Sequence, residues 1–315
     1  MLALGAHQPE ARLICNPVAG NCLLPAFRSK LIQSGAVLSH DGLERVAELV
    51  GKGDAAKVTI IGGSTSAGAV AVRLLGHGSP LRFGEGGLTL MHRKPLRIFY
   101  ESAADALAES YDEFAPSDVC PITGRIFRLS GFRLDSRDLV MAARQIGGRE
   151  PEPRLRLLQL SVDSTGEAQR TLADSDLIVA ALGYTPRILP VLNESGDTLP
   201  LHSPAGEDWA IVDQRCRLMT AGGAPLSNLF AIGLAVGPAP APDLGGESEF
   251  RGQVNSLWMW QHTLGSRIVS GILGATKGRA RHSLTGAVAS RMPAAIPGPQ
   301  LPKPAVMAPG AAQWA

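Results

Sequence analysis

The sequence predicts an α/β fold in which a parallel sheet is covered by helices on both faces. Three observations carry that expectation. Short apolar runs at 58–61 and 177–182 show the unbroken burial pattern of parallel strands. A segment of helical period over 67–75 follows the first run. A further short apolar run at 88–91 then completes a βαβ unit of about 30 residues.

In chain order, Met1-Leu2-Ala3-Leu4-Gly5 reads as the end of a buried strand meeting a glycine turn, so the sequence opens inside an element. Asn16-Pro17 and Ala19-Gly20-Asn21 punctuate the next stretch. A helix is expected over 41–50, where Leu43, Val46, Ala47 and Val50 are apolar. Next come the strand 58–61, the helix 67–75 with Ala67, Val70, Ala71, Leu74 and Leu75 apolar, and the strand 88–91. Helices and loops are expected over 101–148, around Phe114-Ala115-Pro116 and Cys120-Pro121. Residues 155–162 and 169–172 read as a small hairpin crossed by Asp163-Ser164-Thr165-Gly166. The strand 177–182 runs into Gly183-Tyr184-Thr185-Pro186, and further strands are expected at 210–212 and 229–232. Helical period returns over 254–273 through Leu257, Trp258, Leu264, Ile268, Val269 and Ile272. Beyond 276 the chain is rich in Pro, Ala and Gly, has little surface to bury, and is expected to be disordered.

The turn after the strand 58–61 contains only small residues, Gly62-Gly63-Ser64-Thr65-Ser66-Ala67-Gly68. At a strand-to-helix turn, small residues let main-chain N–H groups approach a pyrophosphate at the positive end of the helix dipole. The key positions of the dinucleotide pattern G-x-G-x-x-G/A read Gly62, Ser64 and Ala67, with serine in the middle. Serine is small and its hydroxyl can donate to phosphate. A tight turn without a ligand is the alternative that this motif leaves open. Ser64 and Ser66 have no His/Asp partners at recognisable spacing and precede the helix as phosphate contacts do, which argues against nucleophilic hydrolysis.

With 315 residues, the chain has room for one large or two ordinary domains. It is 45% hydrophobic and 18% charged with a net charge of +2, a balance that does not call for nucleic acid. The arginines between Arg125 and Arg156 lack interleaved aromatics and have acidic neighbours, as a solvated face does. No apolar run reaches the ~18 residues of a membrane span. The first residues lack the basic region of a signal peptide, so a cytoplasmic protein is expected. Cys15, Cys22, Cys120 and Cys216 show no C-x-x-C spacing, which implies no metal cluster, no redox dithiol, and thiols that are reduced and mostly buried.

Two segments echo each other on either side of the glycine turn: Ala3-Leu4-Gly5, followed by Pro9, and Ala181-Leu182-Gly183, followed by Pro186. The order of these motifs resembles the two-dinucleotide-domain flavoproteins, the glutathione-reductase-like and flavin-dependent monooxygenase superfamily. In that family an NAD(P)H domain interrupts an FAD domain, and A-T-G-type motifs mark the two crossings. Gln33-Ser34-Gly35-Ala36-Val37-Leu38 resembles the H-S-x-x-Y-type linker before the NADPH strand. Gly62-Gly63-Ser64-Thr65-Ser66-Ala67 resembles the G-x-S-x-S-A variant, and Asn228-Leu229-Phe230-Ala231-Ile232-Gly233 the final flavin motif. The resemblance spans residues 1–273.

It implies a Rossmann-like, three-layer NAD(P)H domain at 33–182 inserted into an incomplete FAD domain. The latter would comprise a remnant at 1–32 and a C-terminal part at 183–275, followed by the tail 276–315. The family's first G-x-G-x-x-G would precede the first crossing, and Leu234 stands where the family has aspartate, so FAD is expected to be held incompletely by this chain alone. The cofactor-binding residues implied are Gly62, Gly63, Ser64, Thr65, Ser66 and Ala67 for the diphosphate, with Gly183, Tyr184, Gly5, Gln8, Gly233 and Asn255 along the crossings and the flavin edge. His262, Trp260 and His7 are weaker candidates for that edge, and no catalytic side chain and no metal ligand is assigned.

The strand at 88–91 ends in His92-Arg93-Lys94, with Arg97 nearby and no carboxylate before Glu101. A basic strand tip accommodates a ribose 2′-phosphate, so NADPH is the expected nicotinamide cofactor. The activity implied is NADPH-dependent flavin oxidoreduction, monooxygenase-like because C-x-x-C is absent. The alternative is a truncated, catalytically silent nucleotide-binding module. Expected partners are a small-molecule substrate or electron acceptor, and either a second copy of the chain or a separate chain carrying the missing flavin half.

Overall fold

The computed structural model describes residues 1–51, 55–202, 210–256 and 259–283, with side chains of the last helix described as far as Gly274. The backbone divides into one unit at Met1–Ala275 and another at Thr276–Ala315. The tail expected to be disordered from 276 is helical as far as Ser283, and its remainder lies outside the described residues, as do Leu257 and Trp258.

β1 (Ala6–His7) and the short helix α1 (Ala11–Cys15) follow the first glycine. A tight turn, in which Val18 and Asn21 exchange two main-chain hydrogen bonds of 2.9 Å, leads to α2 (Leu23–Phe27). β2 (Leu31–Gln33), α3 (Ser34–Val37) and α4 (Gly42–Val50) come next. β3 (Val58–Ile61), α5 (Thr65–Leu75) and β4 (Leu88–His92) form the anticipated βαβ unit. After α6 (Ala103–Ala108) and α7 (Leu134–Ala143) the chain continues through β5 (Leu155–Gln159), α8 (Thr165–Asp174), β6 (Leu177–Ala180) and β7 (Thr185–Pro186). β8 (Arg217–Met219) and β9 (Pro225–Phe230) pair as an antiparallel ribbon. The last helix, α9 (Gly265–Ser283), is entered through a π-helical turn at Trp260–Leu264.

The central sheet has five parallel strands in the order β2-β6-β3-β4-β5, a Rossmann-like layered arrangement. Side chains alternate across each strand. Val58, Ile60, Leu88 and Leu90 meet Val70 and Leu74 of α5, Val140 and Met141 of α7, and Val46 of α4 on one face. Ile61, Met91, Leu158 and Ile178 meet Leu13 of α1, Leu23 of α2, and Ala168 and Leu172 of α8 on the other. Helices over 42–143 therefore share one face. α8 crosses on the opposite face and returns the chain from the β5 edge to β6, which inserts between β2 and β3.

One cross-strand row on the second face is polar. Thr59 is in register with Thr89, and Thr89 with Arg156. The Arg156 guanidinium donates to Thr89 Oγ1 at 3.3 Å and to Thr171 Oγ1 at 2.8 Å, and Thr59 shares a 2.8 Å bond with Ser175. This row opens into a cleft of about 330 Å³ at the amino ends of β3 and β4. The arginines of 125–156 that carry ion pairs include Arg125 with Glu101, Arg137 with Glu109, Arg149 with Asp138 and Arg154 with Glu152. No helix among the described residues is long and apolar enough to cross a membrane.

Several expectations need correction. The hairpin expected over 155–172 is instead a strand, β5, followed by a helix, α8. Asp163-Ser164-Thr165-Gly166 starts that helix, and such residues favour helix starts as strongly as turns. Ser161 N donates to Ser164 Oγ at 2.8 Å there, and Ala168 and Leu172 are buried one helical turn apart. The run 210–212 is buried, but among the described residues only Val212 makes a strand-type bridge, to Leu218. The strand expected at 229–232 begins earlier and its ladder ends at Phe230. The helix expected from 254 is described only from Met259.

The thiols are also less buried than expected: Cys120 and Cys216 are buried, whereas Cys15 and Cys22 are exposed, and all four are free. Burial, with Asp213 adding to it, pushes the Cys216 thiol up to about 11. Burial pushes Cys120 in the same direction, but hydrogen bonds from Thr123, Gly246 and Arg128 outweigh it and hold this thiol at about 7. Access therefore decides labelling. Alkylation of the native protein followed by peptide mass spectrometry is expected to mark Cys15 and Cys22 quickly, and the other two only after denaturation. Fast native labelling of Cys120 would contradict the packing.

Candidate functional site

The glycine turn lies where β3 and β6 run side by side and their chains leave the sheet. Gly62 has φ 150°, a region that favours glycine, and its N–H donates to Met91 O at 2.9 Å. A Cβ here would lie 2.7 Å from Ala181 O, so the turn after β3 and the chain after β6 meet backbone to backbone. At Gly63 a Cβ would lie 3.0 Å from His92 Cβ. Ala67 is buried, which lets α5 start close to the sheet. Gly68 has a different role, because a Cβ there would meet Phe132 at 2.7 Å and Ser136 at 2.9 Å, where α5 crosses α7.

Ser64 caps α5 in an extended conformation, and its carbonyl accepts from Ala67 N at 2.9 Å and Gly68 N at 3.1 Å. Its side chain makes no cap bond, and Gly63, Ser64 and Thr65 are exposed. The amides of Gly63, Ser64, Thr65 and Ser66 meet no acceptor among the described residues. An eleven-residue helix thus presents its orphan donors, and the positive end of its dipole, to solvent.

The β4 tip borders this turn. Arg93 and Lys94 are exposed and, among the described residues, form no ion pair. His92 does not share their exposure: it is buried beneath Gly63, with Nδ1 2.8 Å from Lys94 O. Burial lowers the His92 pKa and the charge of Arg144 adds to this, against the opposing bond to Lys94 O. The folded protein therefore holds this proton less readily than the unfolded chain. The stability contributed by neutral His92 is complete above the ordinary value of 6.5 and is lost as pH falls from there toward the lowered folded value.

On the other side of β3 the two Ala-Leu-Gly segments come together. β1 pairs antiparallel with β7, Ala6 opposite Pro186 and His7 opposite Thr185. Gly183 has φ 90°, and a Cβ on it would lie 2.8 Å from Arg12 Nη1. Arg12 donates to Leu182 O at 2.8 Å, to Tyr184 O at 3.4 Å and to Thr185 Oγ1 at 3.3 Å. Gln8 joins the linker after β2, donating to Ser34 Oγ at 2.8 Å and accepting from Gly35 N at 2.7 Å. The Tyr184 hydroxyl lies 3.5 Å from where a Gly35 Cβ would be. Gln8, Gly183 and Tyr184, singled out in the sequence, thus lie together here with Arg12, which the sequence did not single out because its bond to Leu182 spans 170 residues.

The remaining expected residues lie apart from the glycine turn. Leu2 N donates to Phe230 O at 2.7 Å and Ile232 N to Leu2 O at 3.0 Å, so the first crossing runs beside the late glycine motif. Gly5 (φ 70°) and Gly233 (φ 138°) have no atom within 4 Å of a built Cβ. Asn255 donates to Gln253 Oε1 at 3.3 Å and packs beside Gly237. His262 is exposed, and Trp260 Nε1 is buried without an acceptor among the described residues.

The chain is similar to CMP-5'-(3-aminopropyl)phosphonate hydroxylase of Streptomyces rubellomurinus (strain ATCC 31215), with 32% identity over 219 residues, 69% of this chain and 49% of that protein. The chain thus spans about half the length of this curated relative. No family model and no solved structure matches.

Proposed function

We propose that this chain is the NADPH-binding part of a flavin-dependent oxidoreductase of monooxygenase type, built as a dinucleotide domain inserted into a flavin domain. The observation that carries the reading is the row of amides from Gly63 to Ser66, which meet no acceptor among the described residues, beside the exposed Arg93 and Lys94. In open α/β sheets, ligands bind at the carboxyl ends of the strands where the strand order reverses. The amides suit a diphosphate and the two cations suit a 2′-phosphate. The nicotinamide supplies hydride chemistry when bound, with flavin as the proposed acceptor.

This chain's own residues would hold the diphosphate on main-chain N–H groups, turn the adenosine toward β4, and direct the other half across β6 toward Gly183 and Tyr184. Residues on the flavin side fit only in part: Gly5 and Gly233 leave open backbone, but Leu234 presents hydrocarbon where a ribityl hydroxyl needs a hydrogen bond. The antiparallel pairing of the crossings and the strand contact between Leu2 and Ala231 support the inserted-domain reading. The name of the relative, a hydroxylase, supports oxidative chemistry.

Calorimetry with NADPH and NADH, together with an absorbance spectrum of the purified chain, tests the proposal. Tighter binding of NADPH and a flavin spectrum are the expected results. No heat with either coenzyme sinks the reading, and NADPH binding by colourless protein would reduce it to a nucleotide-binding module.

A further inference from the structure

Resting on that reading, we infer that Arg12 is a positioning residue for the nicotinamide half of the dinucleotide. The sheet order places β3 between β4 and β6. With the diphosphate on the turn after β3 and the adenosine over Arg93 and Lys94 after β4, the other nucleotide half must extend over the end of β6. There the chain bends through Ala181-Leu182-Gly183, and Arg12 fixes the bend.

The guanidinium spans it, bound to Leu182 O on one side and to Tyr184 O and Thr185 Oγ1 on the other. Gly183 suits the bend through its φ of 90°, and a Cβ there would lie 2.8 Å from Arg12 Nη1 and push the guanidinium aside. The planar fork of arginine reaches three acceptors at once, a geometry that lysine cannot reproduce. Arg12 is itself anchored to the sheet, since its neighbour Leu13 is buried in the core under β3 and β6. The second crossing is thereby held against the sheet through the bonds of Arg12 to Leu182, Tyr184 and Thr185.

Two ligands separate this role from a general structural one. Adenosine 2′,5′-bisphosphate reaches only the adenosine end, whereas NADPH spans both ends. Calorimetry on wild type, Arg12→Ala and Arg12→Lys is expected to show NADPH binding weakened at least tenfold in the alanine variant. Adenosine 2′,5′-bisphosphate should bind all three proteins within about twofold, and lysine should restore little of the NADPH loss. Unchanged NADPH affinity in Arg12→Ala, or equal loss of both ligands in Arg12→Lys, would overturn the assignment. Wild type that binds neither ligand would instead sink the nucleotide-site reading on which it rests.

Discussion

Gly62→Ala is expected to abolish measurable NADPH binding and to lower the stability of the fold. The added methyl would sit 2.7 Å from Ala181 O, and φ 150° is a conformation that alanine rarely adopts. Forcing a side chain into such backbone costs about 1–3 kcal/mol, before the contact with Ala181 is relieved. Relief requires β3 and β6 to separate at their carboxyl ends, which displaces the amides of Gly63 to Ser66 relative to the sheet. Gly68→Ala is the matched control. Its methyl would press on Phe132 and Ser136 of the α5–α7 contact, so stability falls while the amides stay in place. Urea denaturation and calorimetry on both variants give the comparison, and wild-type NADPH affinity in folded Gly62→Ala would refute the role of the turn.

Arg93→Ala is expected to weaken NADPH binding by tenfold to a hundredfold and to leave NADH within about twofold. A hydrogen bond to a charged group contributes about 1.5–3 kcal/mol, and each 1.4 kcal/mol is a factor of ten. NADH lacks the 2′-phosphate and so has nothing to lose. Because Arg93 is exposed, the NADPH preference should also narrow as salt is raised. Titrating both coenzymes at low and high salt measures this, and equal losses for the two would show that Arg93 only solvates its loop.

The sheet was legible where one force dominates. Val58–Ile61, Leu88–His92 and Leu177–Ala180 are buried on both faces, so a short apolar run could be little else than a parallel strand. β5 and α8 resemble a hairpin in sequence because Arg156 interrupts the apolar run and faces a polar cleft, and because a helix start and a turn draw on the same residues. The thiols depart from expectation for a related reason. Cysteine is usually buried, but Cys15 ends a five-residue helix and Cys22 precedes another, both too short to bury every position.

Of the candidate site, Gly62 to Ala67 and the basic tip at Arg93 and Lys94 could be found in the sequence because their chemistry is local: spacing sets the turn, and the end of a strand sets where its charges lie. The depth of His92 beneath Gly63, the meeting of Gly62 with Ala181, and the grip of Arg12 on the chain around Gly183 were decided by tertiary structure alone. Each joins residues from different strands or helices, and only the packed sheet, with β6 inserted between β2 and β3, brings them within bonding distance.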